Sequence, residues 1–184
     1  MTEIVKSVTA WGWPRVRLWL AAAAAGLLVL PFVLDLPWTA GDYVFAALLL
    51  FGSLALYEVA TRLSGDFAYR AGAGLAILST FLLMCGNGAV GVTDGPADRY
   101  FLMVPAIAFV GAVLARFRPA GLSLAMFAAS LVVGLIPVVA LATDSVPAFN
   151  SAFEVLAIGG FFVVLFTGSA LLFREAARSQ AGPK

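Results

Sequence analysis

Long apolar runs alternate with short polar or charged loops along almost the whole chain. A helix needs about 20 mainly apolar residues to cross the roughly 30 Å hydrocarbon core of a bilayer. Helices also satisfy their own backbone hydrogen bonds in lipid. The pattern therefore predicts an all-α, polytopic membrane protein with one membrane domain over residues 1–184. Its six predicted spans cover about 16–34, 43–62, 70–92, 99–116, 120–143 and 153–173.

The composition agrees with this class and excludes several chemistries. Hydrophobic residues make up 62% of the chain and charged residues 11%, whereas soluble proteins have about 25% charged residues. The chain has no histidine, which excludes His-based acid–base catalysis and His-ligated metals. No nucleophile–base pair, phosphate loop or metal-ligand spacing occurs in the sequence. We therefore expect no enzymatic activity, no cofactor, no bound metal and no nucleic-acid partner.

The basic residues predict the orientation of the spans. The first apolar run is too long for a signal peptide and lacks a small-residue cleavage pattern after it, so we interpret it as an uncleaved span. With a cytoplasmic N-terminus, Arg99 is the one basic residue predicted on the outer side. The positive-inside rule then predicts three hairpins with both termini cytoplasmic.

Charged residues recur at the ends of the even-numbered predicted spans. Neighbouring members of each set are 56 positions apart, which suggests three hairpins of common ancestry. Acids near helix N-termini and bases near C-termini would also arise without any duplication. The acids either form an outward-facing, cation-attracting ring or cap the helices at whose starts they lie. The two sets are Asp42, Asp98 and Glu154, and Arg62, Arg118 and Arg174.

The stretch 82–98 departs from the general pattern, because an apolar helix acquires an amide and glycines before its predicted end. Asn87 lies between Gly86 and Gly88, and Gly91 follows. The amide can hydrogen-bond a neighbouring helix while the glycines permit a close approach. Alternatively, the segment unwinds and directs backbone groups at a ligand, as broken transporter helices do.

Prolines and one acid offer a second set of candidates. Pro31, Pro105 and Pro137 lie in the outward halves of their predicted spans, where kinks could open a cavity near Asn87. Proline is also simply common in membrane helices. Glu58 lies inside the second span, and intramembrane acids are candidates for a proton or cation site. Its neighbour one turn later is Arg62, so a Glu–Arg pair near the membrane surface is the alternative.

Several short motifs also bear on the family. Asp42-Tyr-Val-Phe-Ala, Leu56-Tyr-Glu-Val-Ala, Ala68-Tyr-Arg and Asn87-Gly-Ala-Val-Gly occur between residues 40 and 176. Over this range the chain resembles a group of small, uncharacterised bacterial inner-membrane proteins. The resemblance implies six spans and draws attention to Glu58 and Asn87, but it implies no activity. The loop from Thr93 to Arg99 departs from the pattern because it is short. In architecture alone, the three-hairpin layout is similar to acid-resistance membrane proteins of the HdeD type.

Two functional hypotheses follow. The first is a non-enzymatic membrane scaffold or accessory subunit that packs against partner membrane proteins, lipids or a second copy. Very short loops and glycine-rich helix faces favour it. The second is a small transporter or channel with a periplasm-facing cavity near Asn87, Pro105 and Pro137 and an inner proton or cation site at Glu58.

Overall fold

The computed structural model describes residues 2–89, 91–147 and 150–182, with side chains for 17–88, 91–147 and 150–182. Every regular element in these ranges is helical. A 3₁₀ helix, Pro96–Leu102, runs directly into α4. The α-helices are α1 Thr2–Val33, α2 Ala40–Leu63, α3 Phe67–Ala89, α4 Met103–Leu114, α5 Pro119–Ala142 and α6 Ala152–Ala181.

Five helical segments within the described residues are long and apolar enough to cross a membrane. The apolar part of α1, Arg17–Val33, is shorter than these five. The prediction of an all-helical membrane protein with several spans is therefore confirmed, while the sixth span and the orientation of the termini stay predictions. The five segments are Ala40–Leu63, Phe67–Gly88, Pro96–Leu114, Pro119–Ala142 and Ala152–Ala181.

The helix ends differ from the predicted ends where local chemistry overrides hydrophobicity. The third span was predicted to reach residue 92, but α3 ends at Ala89, and Gly91 adopts a φ of +80°. The last span was predicted to end at 173, but α6 continues to Ala181. Glu, Ala and Arg in this extension are good helix formers, so the helix outlasts its apolar segment.

The chain divides into two compact units, one ending at Leu56 and the other beginning at Tyr57. The first unit contains α1 and most of α2. From Ala40 to Leu56 each side chain is exposed or half-buried, and Ala24 and Pro31 are buried in α1. In this unit the described apolar side chains therefore form little core of their own.

The core of the second unit lies between α3, α4, α5 and α6. Helix α5 packs against α4 and α6, and α6 packs against α3. Glycines allow these helices to approach closely, because a Cβ on Gly159 would lie 2.5 Å from Pro137 Cγ and one on Gly111 would lie 2.5 Å from Ala125 Cβ. The fully buried large side chains of this core include Leu83, Phe101, Val104, Val133 and Phe166.

Hydroxyl groups also join the helices of this core. Ser169 on α6 donates to the Gly72 carbonyl of α3 over 2.8 Å, and Ser123 on α5 donates to the Ala170 carbonyl of α6 over 2.8 Å. Such interhelical bonds satisfy polar groups that lipid would leave without partners. The core is thus held by close packing and by a few specific polar contacts.

Candidate functional site

Two loops at one end of the second unit form a polar cluster, which we call the acidic loop pair. It consists of residues 91–98 and of residues 143–147 with 150–151. At its centre, Asp98 Oδ1 accepts hydrogen bonds from the Val92 amide at 3.1 Å, the Thr93 amide at 2.7 Å and Thr93 Oγ1 at 2.8 Å. Thr93 is fully buried, so Asp98 satisfies polar groups that have lost their contact with solvent.

Asn150 connects the second loop to the first. Its Nδ2 donates to the Thr93 carbonyl at 3.1 Å and to Asp94 Oδ2 at 3.0 Å. Gly95 brings the loops into direct contact, because a Cβ at this position would collide with the Ser145 carbonyl oxygen. The two loops therefore form one hydrogen-bonded structure that covers this end of α3, α5 and α6.

Gly91 is the point where the chain turns from α3 into the loop. Its amide donates to the Gly86 carbonyl at 3.1 Å, which closes the end of the helix. Its φ of +80° favours glycine, and a Cβ would also collide with Asp98 Oδ2. Two independent requirements thus account for glycine here.

Asn87 lies on a continuous part of α3, since the helix extends to Ala89. Its Oδ1 is buried and accepts no hydrogen bond from any residue that the structure describes. A Cβ on Gly86 would meet nothing within 4 Å, and Gly88 is exposed. Within the described residues, these two glycines therefore do not serve a close helix contact beside Asn87.

The prolines near Asn87 in the predicted topology take part in different local contacts. Pro137 is fully buried against Gly159, and Pro105 on α4 is half-buried. A groove of about 350 Å³ lies between the 3₁₀ helix and α5, with Tyr100, Met103 and Val139 among its lining residues. Its lining includes neither Asn87 nor Pro105 nor Pro137. Pro137 thus serves the contact between α5 and α6.

Glu58 forms the ion pair with Arg62 that the sequence offered as one alternative. Arg62 Nε lies 2.8 Å from Glu58 Oε1, and the side chains are 74% and 25% exposed, respectively. The next turn is fixed by Arg70, which donates to the Ser64 and Thr61 carbonyls. The Glu58 carboxylate therefore has a partner on its own helix.

The acids proposed for an outer ring have separate local roles. Asp42 Oδ2 accepts from the amide and the hydroxyl of Thr39, at 2.7 and 2.8 Å, just before α2. Ser151 and Glu154 bond each other reciprocally at the start of α6, at 3.1 and 3.2 Å. Asp98 holds the loop described above. Helix capping thus accounts for two of the three acids, and loop closure accounts for the third.

The partners that complete the acidic loop pair leave no clear pattern in the sequence. Thr93, Asn150 and Gly95 were not singled out. The Ser-x-x-Glu spacing at 151–154 is a visible capping signal, but no local pattern relates Asn150 to Thr93, which is 57 positions away. Among the described residues, no group of three or more Cys, Asp or Glu side chains is arranged to hold a metal ion.

Comparison of the chain with protein-family models, with curated proteins and with solved structures finds no match. The family resemblance suggested by the short motifs therefore stays a prediction.

Proposed function

We propose that this chain is a non-enzymatic integral membrane scaffold or accessory subunit, and that it packs against a partner membrane protein through glycine-bearing helix faces. We place it in a bacterial inner membrane with both termini cytoplasmic. The observation that carries the proposal is the difference between two groups of helix glycines, those engaged within the chain and those facing open space.

The engaged glycines lie in the second unit. A Cβ on Gly111, Gly134 or Gly159 would lie within 2.8 Å of a side-chain atom of a neighbouring helix. Close packing through small residues is a principal source of helix association in lipid. It offsets the roughly 1 kcal/mol by which glycine disfavours a helix relative to alanine.

A second group of helix glycines has no such contact. A Cβ on Gly26, Gly52 or Gly160 would meet nothing within 4 Å. At these positions glycine disfavours the helix as it does elsewhere. Here, however, no close contact with a neighbouring helix offsets that cost. A helix of a partner protein would supply that packing, which is why an accessory role is favoured.

The experiment is gentle purification of the full chain from its native membrane, followed by identification and quantification of co-purifying proteins. Gly52→Leu fills the open space on α2, and Ala47→Leu is the matched control because Ala47, five residues earlier on the same helix, lies about 140° around the helix axis from Gly52. We expect a stoichiometric partner with the wild type and the control, and at least a fivefold loss with Gly52→Leu at unchanged thermal stability. Equal recovery with both variants, or no stoichiometric partner at all, would contradict the proposal.

A small transporter or channel is the second candidate, and the buried Oδ1 of Asn87 is the observation that favours it. A buried carbonyl oxygen without a donor costs about 1–3 kcal/mol, and a bound solute or water could donate to it. The test is flux in proteoliposomes. A proton-coupled or cation flux that is lost in Glu58→Gln would support a transport role with Glu58 as its inner site. An unchanged flux would exclude Glu58 from that role.

A further inference from the structure

A groove at the opposite end of the second unit combines cationic and apolar groups. It lies between the beginning of α5 and the end of α6 and has a volume of about 590 Å³. Arg174 and Arg178 stand one helical turn apart on its α6 side. Its other lining residues are Ala120, Ser123, Leu124, Phe127, Ala177 and Ala181.

Within the described residues, the charges of this groove have few partners. Arg174 forms no ion pair with any residue that the structure describes. Arg178 approaches Glu175 at 3.4 Å, but both side chains are more than 60% exposed, at 65% and 62%. Such an exposed pair contributes little and leaves the guanidinium available. The groove therefore presents two arginines to an anion.

The beginning of α5 adds to the attraction for an anion. Its N-cap residue, Arg118, makes no side-chain cap hydrogen bond. Pro119 has no N–H, so the amides of Ala120 and Gly121 are the ones that retain the partial positive charge of an uncapped N-terminus. The α5 end of the groove thus favours a negatively charged group through its amides. The α6 end does so only through its two arginines, because the carbonyl groups at a helix C-terminus are partly negative.

The remaining lining of the groove selects for a lipid over a free anion. Leu124 is 72% exposed and Phe127 is half-buried, while Ala177 and Ala181 keep the opposite wall shallow. The hydroxyl of Ser123 already donates to the Ala170 carbonyl at 2.8 Å. Beside Leu124 and Phe127, the groove thus offers an apolar surface suited to an acyl chain.

We propose that this groove binds one anionic phospholipid, with its phosphate beside Arg174 and Arg178 and an acyl chain along Leu124 and Phe127. Basic pockets between membrane helices bind anionic headgroups in this way. The site lies on α5 and α6 and uses none of the open glycines, so its failure would leave the proposed accessory function untouched.

The test is native mass spectrometry of the full chain in a neutral detergent, titrated with phosphatidylglycerol or with phosphatidylcholine of the same acyl chains. Arg174→Gln/Arg178→Gln removes both groove charges, and Arg99→Gln/Arg116→Gln is the matched control because it removes two exposed charges that do not line the groove. We expect wild-type protein to prefer phosphatidylglycerol, and we expect the groove variant to lose about thirtyfold in affinity. The control should lose less than threefold.

A second variant tests the shape of the groove independently of its charges. Ala177→Leu narrows the groove but retains both guanidinium groups, so we expect it to weaken phosphatidylglycerol binding as well. Glycerol 3-phosphate serves as the probe for a free phosphate and should not compete at lipid-saturating concentrations. Equal binding of the two lipids, equal losses in the groove and control variants, or full competition by glycerol 3-phosphate would overturn the proposal.

Discussion

The two ends of the second unit use their charged residues in opposite ways. In the acidic loop pair, Asp98 accepts three hydrogen bonds from Val92 and Thr93. At the other end, Arg174 forms no ion pair with the described residues. The acid is therefore committed to the internal structure of the loops, whereas the arginine remains available to lipid or solvent.

This difference separates a structural charge from a candidate binding group. Both kinds of charge lie at helix ends, where the positive-inside rule and the helix dipole place them in any membrane protein. Position alone does not distinguish them. The hydrogen bonds of each group do, because three donors of the loop converge on Oδ1 of Asp98 and fix this side chain within the loop.

The largest expected effect comes from removing the centre of the acidic loop pair. Asp98→Ala would leave two amides and the buried Thr93 hydroxyl without their acceptor, and each unsatisfied buried group costs about 1–3 kcal/mol. We expect the free energy of unfolding to fall by about 3 kcal/mol or more. Reversible unfolding of the detergent-solubilised chain would measure this change.

The isosteric variant Asp98→Asn shows whether hydrogen bonding or charge matters. It retains a carbonyl oxygen that can occupy the Oδ1 position, so we expect it to recover much of the lost stability. Asp144→Asn is the control, because Asp144 is exposed and has a φ of +49° that asparagine tolerates. A loss in Asp98→Ala no greater than in this control would show that Asp98 does not hold the loops.

A smaller effect is expected where the two loops touch. Gly95→Ala would place a Cβ against the Ser145 carbonyl oxygen and close to Pro147, and this overpacking should cost about 1–3 kcal/mol. Gly160→Ala is the opposite case, since its Cβ would meet nothing within 4 Å. In a helix that change should be neutral or stabilise by up to about 1 kcal/mol. Thermal unfolding of the two variants side by side would detect the opposite signs, and equal shifts would contradict the contact between the loops.

The lengths of the apolar runs predicted most of the helical architecture but little of the acidic loop pair. Helix positions follow from runs of apolar residues, which act locally along the chain. The contact between Asn150 and Thr93 depends on how α3, α5 and α6 pack, and no local pattern encodes that packing. Asp98 was noticed as an acid near the start of a span. Its role was not predicted, because its donors precede it in a loop and are not the first amides of a helix.

The contacts of the three acids also bear on whether the 56-residue spacing reflects a repeated structure. Thr39 with Asp42 and Ser151 with Glu154 have the same arrangement of a hydroxyl followed three residues later by an acid. At the equivalent middle position stands Gly95, and Asp98 instead accepts from Val92 and Thr93, which precede it by 6 and 5 residues. A serine or threonine at position 95 would place its Cβ against the Ser145 carbonyl oxygen. The middle segment thus departs from the other two where the loops come into contact.

Asn150→Ala should have an intermediate effect. It removes two hydrogen bonds that join the loops, to the Thr93 carbonyl and to Asp94 Oδ2. Since Asp94 is exposed, water replaces one of the lost bonds, and we expect a cost of about 1 kcal/mol. A double-mutant cycle with Asp94→Ala, measured by unfolding, isolates the side-chain pair. A coupling energy near zero would show that Asn150 acts through the Thr93 carbonyl alone.

The smallest effect is expected at the Glu58–Arg62 pair, where an exposed guanidinium meets a carboxylate that is 25% exposed. The two side chains lie at i and i+4 with a separation of 2.8 Å, and Arg62 is 74% exposed. Pairs of this kind contribute about 0.3–0.5 kcal/mol, so Glu58→Gln should barely change the unfolding free energy. The measured loss should also shrink at high salt, because exposed charges are screened. A loss above about 2 kcal/mol that persists in salt would mean that Glu58 is committed to internal structure as Asp98 is, and the contrast between acids that fold loops and exposed ion pairs would then fail at this position.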